Sequence, residues 1–295
     1  MRVFLTGASG HIGSAVIPEL QDHGHTVVGL ARSDDAAATV AAAGADVLRG
    51  DLTDLDGLAR AAQQADGVIH LAFRHDIAFS GDMAGAAASD LAAIATIGDA
   101  LANTGKHFVT TGGSMMLWIG GTTGRPGTED DVFDGDGRIA SENATVALAE
   151  RGVRASVIRL APSVHSARDR HGFVPTLIEI ARENGVSGYV GDGANRWPAI
   201  HTLDAAVLYR RALEDAPPGS RLHGVAETGI PFRTIAEAIG RVAHVPAAPA
   251  APDRFRFLSA FVAADNPTDN TITRRLLDWE PAHPGLIEDL DAGVY

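Results

Sequence analysis

Short apolar runs alternate with longer alanine-rich segments along the first 160 residues of the chain. The apolar runs have the length of buried strands, and the segments between them have the length of helices. Regular alternation of the two is typical of strand–helix units that build a parallel sheet through right-handed crossovers. We predict six strands, at residues 3–5, 26–31, 46–48, 67–71, 106–111 and 155–160, and five helices, at residues 12–22, 36–43, 55–64, 83–103 and 139–151.

The alternation weakens after residue 160, where Gly- and Pro-rich segments separate one or two amphipathic helices. These segments span residues 188–198, 216–219 and 245–252, and one helix is predicted at residues 235–242. Residues 222–225 have the pattern of one more strand of the sheet. The predicted fold is therefore α/β, a doubly wound parallel sheet with a smaller, loop-rich C-terminal substrate domain. The sheet domain takes residues 1–165 with a return of 200–226, and the smaller domain takes residues 166–199 and 227–295.

The first predicted strand runs directly into a glycine-rich turn at residues 6–13, and a predicted helix follows it. In such a turn Gly7 permits the tight bend, Gly10 lets the backbone approach a pyrophosphate, and Gly13 lets the helix pack close to the strand. The amino end of that helix offers free amide groups and a partial positive charge to an anion. The strand–turn–helix context therefore predicts a dinucleotide-binding domain of the Rossmann type.

The spacing of these glycines resembles the TGxxGxxG turn of the extended and atypical short-chain dehydrogenases/reductases, in the epimerase/dehydratase-like superfamily. Four further segments extend the resemblance in the right order, at residues 50–54, 68–72, 159–162 and 199–206. The resemblance implies one cofactor site along the carboxyl edge of the sheet. Its expected members are Gly7, Ser9, Gly10, His11, Ile12, Gly13, Asp51, Leu52, Leu71, Ala72, Phe73, Thr111 and Pro162.

The end of the second predicted strand bears on the choice of cofactor. An NAD site usually carries Asp or Glu about 20 residues beyond the glycines, where the carboxylate binds the ribose 2′-hydroxyl. Here the chain has Arg32 and Ser33, which can bind a 2′-phosphate, so NADP is expected before NAD. Asp34 and Asp35 would oppose a phosphate if they turned inward, but we expect them to begin the next helix, where acidic residues suit the helix dipole.

Carbonyl-reducing members of the family normally use a Tyr-x-x-x-Lys pair, in which the lysine lowers the tyrosine's pKa for proton exchange with the substrate. The only lysine in this chain is Lys106, and no tyrosine precedes Tyr189. Alignment with the family places Arg138 and Glu142 at the two positions. The sequence therefore resembles the atypical members, which have the cofactor turn without the pair.

Replacements for the pair are sought in the loops at the carboxyl edge, where ligands of such sheets bind. His75 beside Asp76 is one candidate proton donor, and the simpler alternative is an exposed loop histidine. Thr111 is favoured over Ser114 as a hydroxyl that orients the substrate oxygen, and Thr111 could instead be a strand-end cap.

Arg138 is a candidate for stabilising negative charge on the substrate oxygen, although an ion pair with Glu142 on the helix surface is the simpler alternative. His165 is a second imidazole candidate, with a purely structural histidine as its alternative. The resemblance further implies that Tyr189, Arg196 and Trp197 contact the substrate from the smaller domain, and for Tyr189 a packing role is favoured over substrate contact.

The charge and composition of the chain argue against several kinds of partner and site. The net charge is −13, with 37 acidic and 24 basic residues and no basic run, which argues against nucleic acid. The chain has no cysteine, and its histidines show no metal-binding spacing, so we predict neither a disulfide nor a metal site. No apolar stretch has the length of a spanning helix and no signal-type segment is seen, so a cytoplasmic protein without membrane contact is expected.

The favoured function is an NADP-dependent oxidoreductase that transfers hydride to or from a small carbonyl or hydroxyl compound. Two alternatives remain open: a sugar-nucleotide epimerase or dehydratase, and a non-catalytic protein that senses the cofactor, similar to the negative nitrogen regulators of this fold. The family resemblance also implies a homodimer, which the sequence alone does not decide.

Overall fold

Strands and helices alternate as predicted through residue 160 in the computed structural model, which describes residues 1–78 and 80–295. The first part contains β1 (Arg2–Thr6), α1 (Gly13–Asp22), β2 (Thr26–Ala31), α2 (Asp34–Ala42), β3 (Asp46–Arg49), α3 (Leu55–Gln64), β4 (Gly67–His70), α4 (His75–Ala78), α5 (Met83–Leu101), β5 (His107–Gly113), α6 (Met115–Ile119), α7 (Arg138–Ala147) and β6 (Arg154–Leu160). The second part contains β7 (Ser163–His165), α8 (Phe173–Asn184), β8 (Ser187–Tyr189), β9 (Arg196–His201), α9 (Thr202–Asp215), β10 (Ser220–Gly224), β11 (Glu227–Pro231), α10 (Phe232–Ala243), β12 (Ala247–Pro249), α11 (Thr271–Leu277) and α12 (Leu286–Asp291). Two 3-10 segments, Leu148–Arg151 and Pro252–Ala260, complete the described helices.

The central sheet has seven strands in the order β10-β6-β5-β4-β1-β2-β3, and every neighbouring pair is parallel. All six predicted strands are present, and the strand predicted at residues 222–225 joins the edge of the sheet as β10, beside β6. The strand order reverses between β1 and β4, because β2 and β4 flank β1 on opposite sides. In an open α/β sheet, the carboxyl edge at such a reversal is where ligands bind.

Two apolar cores lie on the two faces of the sheet, which explains why its strands read as unbroken apolar runs. Val3 and Leu5 of β1 point into the core that contains α1 and α9, whereas Phe4 between them points into the core that contains α3 and α5. The helices cover both faces because each turns one apolar stripe inward. The domain is therefore doubly wound, as the sequence predicts.

The second half of the chain adds a smaller lobe built on a three-stranded sheet, β11-β9-β7, and a two-stranded sheet, β12-β8. Its core is formed by side chains such as Trp197, Phe232 and Phe255. The helix predicted at residues 235–242 is α10, which is longer at both ends. The exact domain boundaries stay predictions.

One helix among the described residues, α5, has the length and mean hydropathy of a membrane span. This is a weak indication, because α5 packs against α3 and α7 and buries residues along its length, as the core helix of a sheet domain does.

Candidate active site

The glycine turn lies at the carboxyl end of β1, where the strand order reverses. Gly7 has a φ of +68°, and a Cβ built on it would lie 2.8 Å from the amide nitrogen of Ala72. A Cβ on Gly13 would lie 2.2 Å from the carbonyl oxygen of Gly7, so the start of α1 packs directly on the turn. Side chains at these two positions would fill the turn. The backbone cradle and the amino end of the ten-residue α1 together fit a dinucleotide pyrophosphate.

The other residues expected at the cofactor lie along the same edge, because β1 to β6 are parallel and all end there. Leu71, Ala72 and Phe73 follow β4 and are half-buried, and Pro162 follows β6. Asp51 follows β3, and its carboxylate accepts hydrogen bonds of 2.9 Å from the backbone N–H and the hydroxyl of Thr53. The same set includes half-buried Ser9 and Ile12 in the turn and buried Leu52 after β3.

Arg32 and Ser33 lie on the exposed loop between β2 and α2. The Ser33 hydroxyl caps α2 by accepting a hydrogen bond of 3.2 Å from Ala36 N. Asp34 and Asp35 form the first turn of that helix, as expected from the sequence. Sequence reasoning missed Arg49 at the end of β3, which donates a 2.6 Å hydrogen bond to the Ser33 carbonyl oxygen.

Arg138 is the first residue of α7, and its guanidinium reaches the ends of β4 and β5. Its Nη2 donates to the carbonyl oxygen of Thr111, and its Nη1 lies 3.7 Å from Asp90 Oδ2. The guanidinium carbon lies 4.4 Å from the centre of the Phe73 ring, a cation–π contact. The bond to Thr111 is the only hydrogen bond of this guanidinium among the described residues, so most of its five N–H donors remain for a ligand.

A chain of buried polar groups lies beneath Arg138 and joins it to the strand that carries the glycine turn. Asp90 on α5 lies 3.3 Å from His70 Nε2, and His70 Nδ1 lies 2.8 Å from the Thr6 hydroxyl. That hydroxyl accepts a hydrogen bond from Ala72 N. Burial opposes the charge on Asp90, but the hydrogen bond from His70 and the charge of Arg138 together hold its pKa below the usual value. Arg138 is therefore held from below by a carboxylate that stays ionised.

The hydroxyl of Thr111 is already engaged. It donates to the His70 carbonyl oxygen over 2.9 Å and lies 2.7 Å from the hydroxyl of Tyr209 on α9. Because a threonine hydroxyl has one proton, this geometry makes Tyr209 the donor in the second bond. Tyr209 is fully buried, and burial raises its pKa. Thr111 thus keeps only a lone pair for a ligand, and the expected orienting role is not seen in this arrangement.

His75 begins α4 at the surface, with its ring edge-on to Phe73 at a centroid distance of 5.0 Å. Desolvation by the atoms packed on the inner side of the ring lowers the pKa of His75, and the positive charge of Arg138 lowers it further. Of the proposed replacements for the Tyr/Lys pair, the structure therefore brings together Arg138 and His75, with Phe73 between them.

The family model for the NAD dependent epimerase/dehydratase family matches residues 3–222. The chain belongs to this family. An uncharacterized protein from Schizosaccharomyces pombe is 42% identical, over 100% of both chains. The 2-alkyl-3-oxoalkanoate reductase of Stenotrophomonas maltophilia is 27% identical, over 77% of this chain and 69% of its own. The crystal structure of dTDP-glucose 4,6-dehydratase from Streptomyces venezuelae, with NAD bound, has a TM-score of 0.80 at 18% identity, covering 100% of this chain and 96% of that one.

Membership of the epimerase/dehydratase family makes the chain part of an NAD-dependent oxidoreductase superfamily, and the dehydratase structure shares its fold. The matched region contains the glycine turn, Arg138 and every strand of the central sheet except the first residue of β1 and the last two residues of β10. The smaller lobe continues beyond it.

Two further candidates are enclosed by protein. Ser114 is fully buried and accepts a hydrogen bond of 3.1 Å from Asn266 Nδ2. His165 is also fully buried; its Nδ1 lies 2.6 Å from Asp289 Oδ2, and its Nε2 is enclosed by protein. Burial lowers the pKa of His165. Neither side chain is exposed, which fits the structural alternative for His165 and leaves no open surface at Ser114; their catalytic roles stay predictions.

Two of the three residues expected to contact substrate from the smaller domain, Trp197 and Tyr189, pack inside it. Trp197 is fully buried, with its ring 4.9 Å from that of Phe232, and Tyr189 is 6% exposed in the same core. Arg196 forms a two-point ion pair with Asp265, at 2.8 and 3.0 Å. Trp197 and Tyr189 are therefore part of the core of the smaller lobe, Arg196 is held at its surface by Asp265, and substrate contact stays a prediction for all three.

Glu142 and Arg138 do not meet among the described residues, although their spacing suggests a helix-surface pair. Glu142 is buried and turns to Arg159 of β6, at 2.9 Å from Nε, and to Arg221 of β10, at 2.7 Å. Burial works against its ionisation, but these two arginines hold its pKa below the usual value. Glu142 is thus a buried anion that ties together α7, β6 and β10.

A cluster of histidines and carboxylates behind the glycine turn was missed by sequence reasoning. His11 turns its ring away from the cradle, with Nε2 2.6 Å from the Thr202 hydroxyl and Nδ1 3.7 Å from Asp169. Burial, with the nearby charges of His165, Arg168 and His201, lowers the pKa of His11 to about 4. Burial raises the pKa of Asp169 to about 6. Only the backbone of His11 therefore remains for the cofactor. No three such side chains in the described part of the chain are placed to hold a metal ion.

Proposed function

We propose that the protein is an NADP(H)-dependent oxidoreductase that moves hydride to or from a small carbonyl or hydroxyl compound, with Arg138 holding the reacting oxygen. The observation that carries the proposal is the position of the Arg138 guanidinium. It lies at the carboxyl edge beside Phe73 and the end of β5, with most of its donors free. The predictions of a small-molecule substrate, a homodimer and a cytoplasmic location belong to the same proposal.

The backbone of the glycine turn would hold the pyrophosphate, and the segment from Leu71 to Phe73 would lie along the nicotinamide end. Arg32 and Ser33 would meet a 2′-phosphate, which supports NADP over NAD. When bound, the nicotinamide supplies or accepts the hydride. The residues of the chain bind and orient it, and they manage the charge and the proton on the substrate oxygen.

Arg138 suits the task of stabilising an oxyanion, because a guanidinium stays charged and its N–H groups are fixed before the reaction. The guanidinium does not release a proton at neutral pH, so Arg138 cannot replace the acid of the pair. Lys106 donates to the Gln63 carbonyl oxygen at the other edge of the sheet, and the Tyr209 hydroxyl is buried against Thr111. The groups that the family pair would supply are therefore engaged elsewhere.

His75 is the ionisable group beside Arg138 that can exchange the proton. Because its pKa is lowered, the ring is mostly neutral at pH 7 and is available as a general base. In the oxidising direction, the carbinol carbon loses hydride and the hydroxyl loses its proton to the imidazole. In the reducing direction, the carbonyl carbon gains hydride, and its oxygen takes the proton back from imidazolium or water.

The reduction is tested by following NADPH absorbance with a panel of aldehydes, ketones and imines. The 2-alkyl-3-oxoalkanoate reductase among the relatives supports including 3-oxo acids. We expect turnover by the wild type and a loss of about 100-fold in kcat for Arg138→Gln, the scale seen when an oxyanion donor is removed. Arg60→Gln, on the exposed face of α3, is the matched control and should leave kcat unchanged.

The alternatives predict other outcomes in the same experiment. Tight binding of both NADP and NADPH without turnover across the panel favours the cofactor-sensing protein. Conversion of dTDP-glucose or UDP-glucose with no net change of cofactor favours an epimerase or dehydratase. The similarity to the dehydratase structure is the reason for testing these sugar nucleotides. Equal activity of Arg138→Gln and the wild type would remove Arg138 from the mechanism.

A further inference from the structure

We propose that Arg49 determines cofactor specificity by neutralising Asp34, so that the loop after β2 accepts a 2′-phosphate. The inference rests on the proposed use of NADP and extends it to a residue on a different strand. It also explains how an acidic residue, Asp34, can directly follow Arg32 and Ser33 in a site for a phosphate.

Strand register places Arg49 beside this loop. In the parallel pair of β2 and β3, Arg49 is the partner of Ala31, the residue before Arg32. The Arg49 side chain then reaches across the loop, where Nη1 donates to the Ser33 carbonyl oxygen over 2.6 Å and Nη2 lies 2.9 Å from Asp34 Oδ1. One guanidinium therefore holds both the backbone of the loop and its first carboxylate.

The charge balance of the loop depends on this contact. The Asp34 side chain is fully exposed, and without a partner its charge would lie next to any anion bound at Arg32 and Ser33, the two residues before it. A phosphate monoester carries a charge of about −1.5 to −2 at pH 7, so an unpaired carboxylate nearby repels it. NAD has a hydroxyl at the same place and is not repelled. Neutralising Asp34 consequently changes the affinity for NADP and leaves that for NAD nearly unchanged.

Arg32 alone does not balance the negative charge of the loop. Its Nη1 lies 3.4 Å from Asp76 Oδ2, and that carboxylate also pairs with Arg74 at 3.0 Å. A 2′-phosphate has to compete with Asp76 for Arg32. Arg49 makes no contact with Asp76 among the described residues, so its charge is directed at the loop itself.

A double-mutant cycle tests the proposal without any substrate. Dissociation constants for NADP and NAD are measured by calorimetry on the wild type, Arg49→Gln, Asp34→Asn and the double variant. Gln keeps a donor for the Ser33 carbonyl and removes the charge. We expect Arg49→Gln to weaken NADP binding about 5- to 10-fold with NAD unchanged, and the double variant to return NADP binding to within about twofold of the wild type.

Controls separate charge from folding. Arg182→Gln removes an exposed arginine of α8, in the smaller lobe, and should change neither constant. The loss of NADP affinity in Arg49→Gln should become smaller near 1 M salt, where the screening length of electrostatic interactions falls to about 3 Å. Urea unfolding checks that each variant is folded.

The possible failures are distinguishable. If the wild type binds NADP no more tightly than NAD, the proposed NADP preference is refuted and the role of Arg49 falls with it. If the wild type prefers NADP and Arg32→Gln loses that preference, but Arg49→Gln keeps it, the proposed function stands and this inference is overturned. A loss that Asp34→Asn does not repair would also overturn it.

Discussion

Replacing Gly13 with alanine tests the glycine turn most sharply. The added Cβ would lie 2.2 Å from the Gly7 carbonyl oxygen and 2.7 Å from that of Ala8, distances that backbone atoms do not tolerate. To reach ordinary contact, α1 must move away from the turn by about 1 Å. Overpacking of this kind costs about 1–3 kcal/mol, and the better helix propensity of alanine returns at most about 1 kcal/mol. We expect a net loss of about 1–2 kcal/mol in the free energy of unfolding.

The effect on cofactor binding should be larger than the effect on stability. Displacing α1 moves the amide groups that would contact the pyrophosphate, and a hydrogen bond to a charged group contributes about 1.5–3 kcal/mol. NADPH affinity, followed by fluorescence titration, should fall about 10- to 100-fold. Gly113→Ala is the stability control, because a Cβ there meets no atom within 4 Å. If Gly13→Ala keeps both wild-type stability and NADPH affinity, the account of the turn is refuted.

Three further predictions concern the groups around the site. His11 has a pKa of about 4 in the folded protein, against an ordinary value of 6.5. Its contribution to the free energy of unfolding is therefore fully present above pH 6.5 and is lost as the pH falls towards 4. Between pH 7 and pH 5, the free energy of unfolding should therefore fall by about 2 kcal/mol less in His11→Phe than in the wild type, as measured by urea unfolding. An equal fall in both proteins would contradict the low pKa assigned to His11. Glu142→Lys should cost about 3–5 kcal/mol in the free energy of unfolding because it buries a cation against Arg159, and a fully stable variant would disprove that network. Tyr209→Phe should cost about 1 kcal/mol in unfolding while leaving NADPH affinity unchanged, and weaker NADPH binding would show that the Thr111 bond shapes the cofactor site.

The parallel sheet and the glycine turn were predictable because their signals are local. Each strand shows as an apolar run, and the turn shows as three glycines at fixed spacing between a strand and a helix. The start of α2 was predictable for the same reason, since Ser33, Asp34 and Asp35 are helix-starting residues in sequence order.

The partners of the site residues were not predictable, because they come from distant strands and helices. The spacing of Arg138 and Glu142 indicated an ion pair, but Glu142 meets Arg221 from 79 positions away. His11 meets Thr202 across 191 positions, and no spacing rule connects them. Likewise, Trp197 and Tyr189 lie in a segment that resembles a substrate loop, and only packing with residues such as Phe232 decides that they are core.

The central claim is that this site transfers hydride while Arg138 holds the substrate oxygen. The most direct measurement uses NADPH deuterated at C4 of the nicotinamide on the transferred face, with the aldehydes and ketones of the panel, followed by mass spectrometry of the products. The account predicts one deuterium on the former carbonyl carbon, formed about 100-fold more slowly by Arg138→Gln. Products without deuterium, or deuterium transfer at the same rate in both proteins, would contradict it.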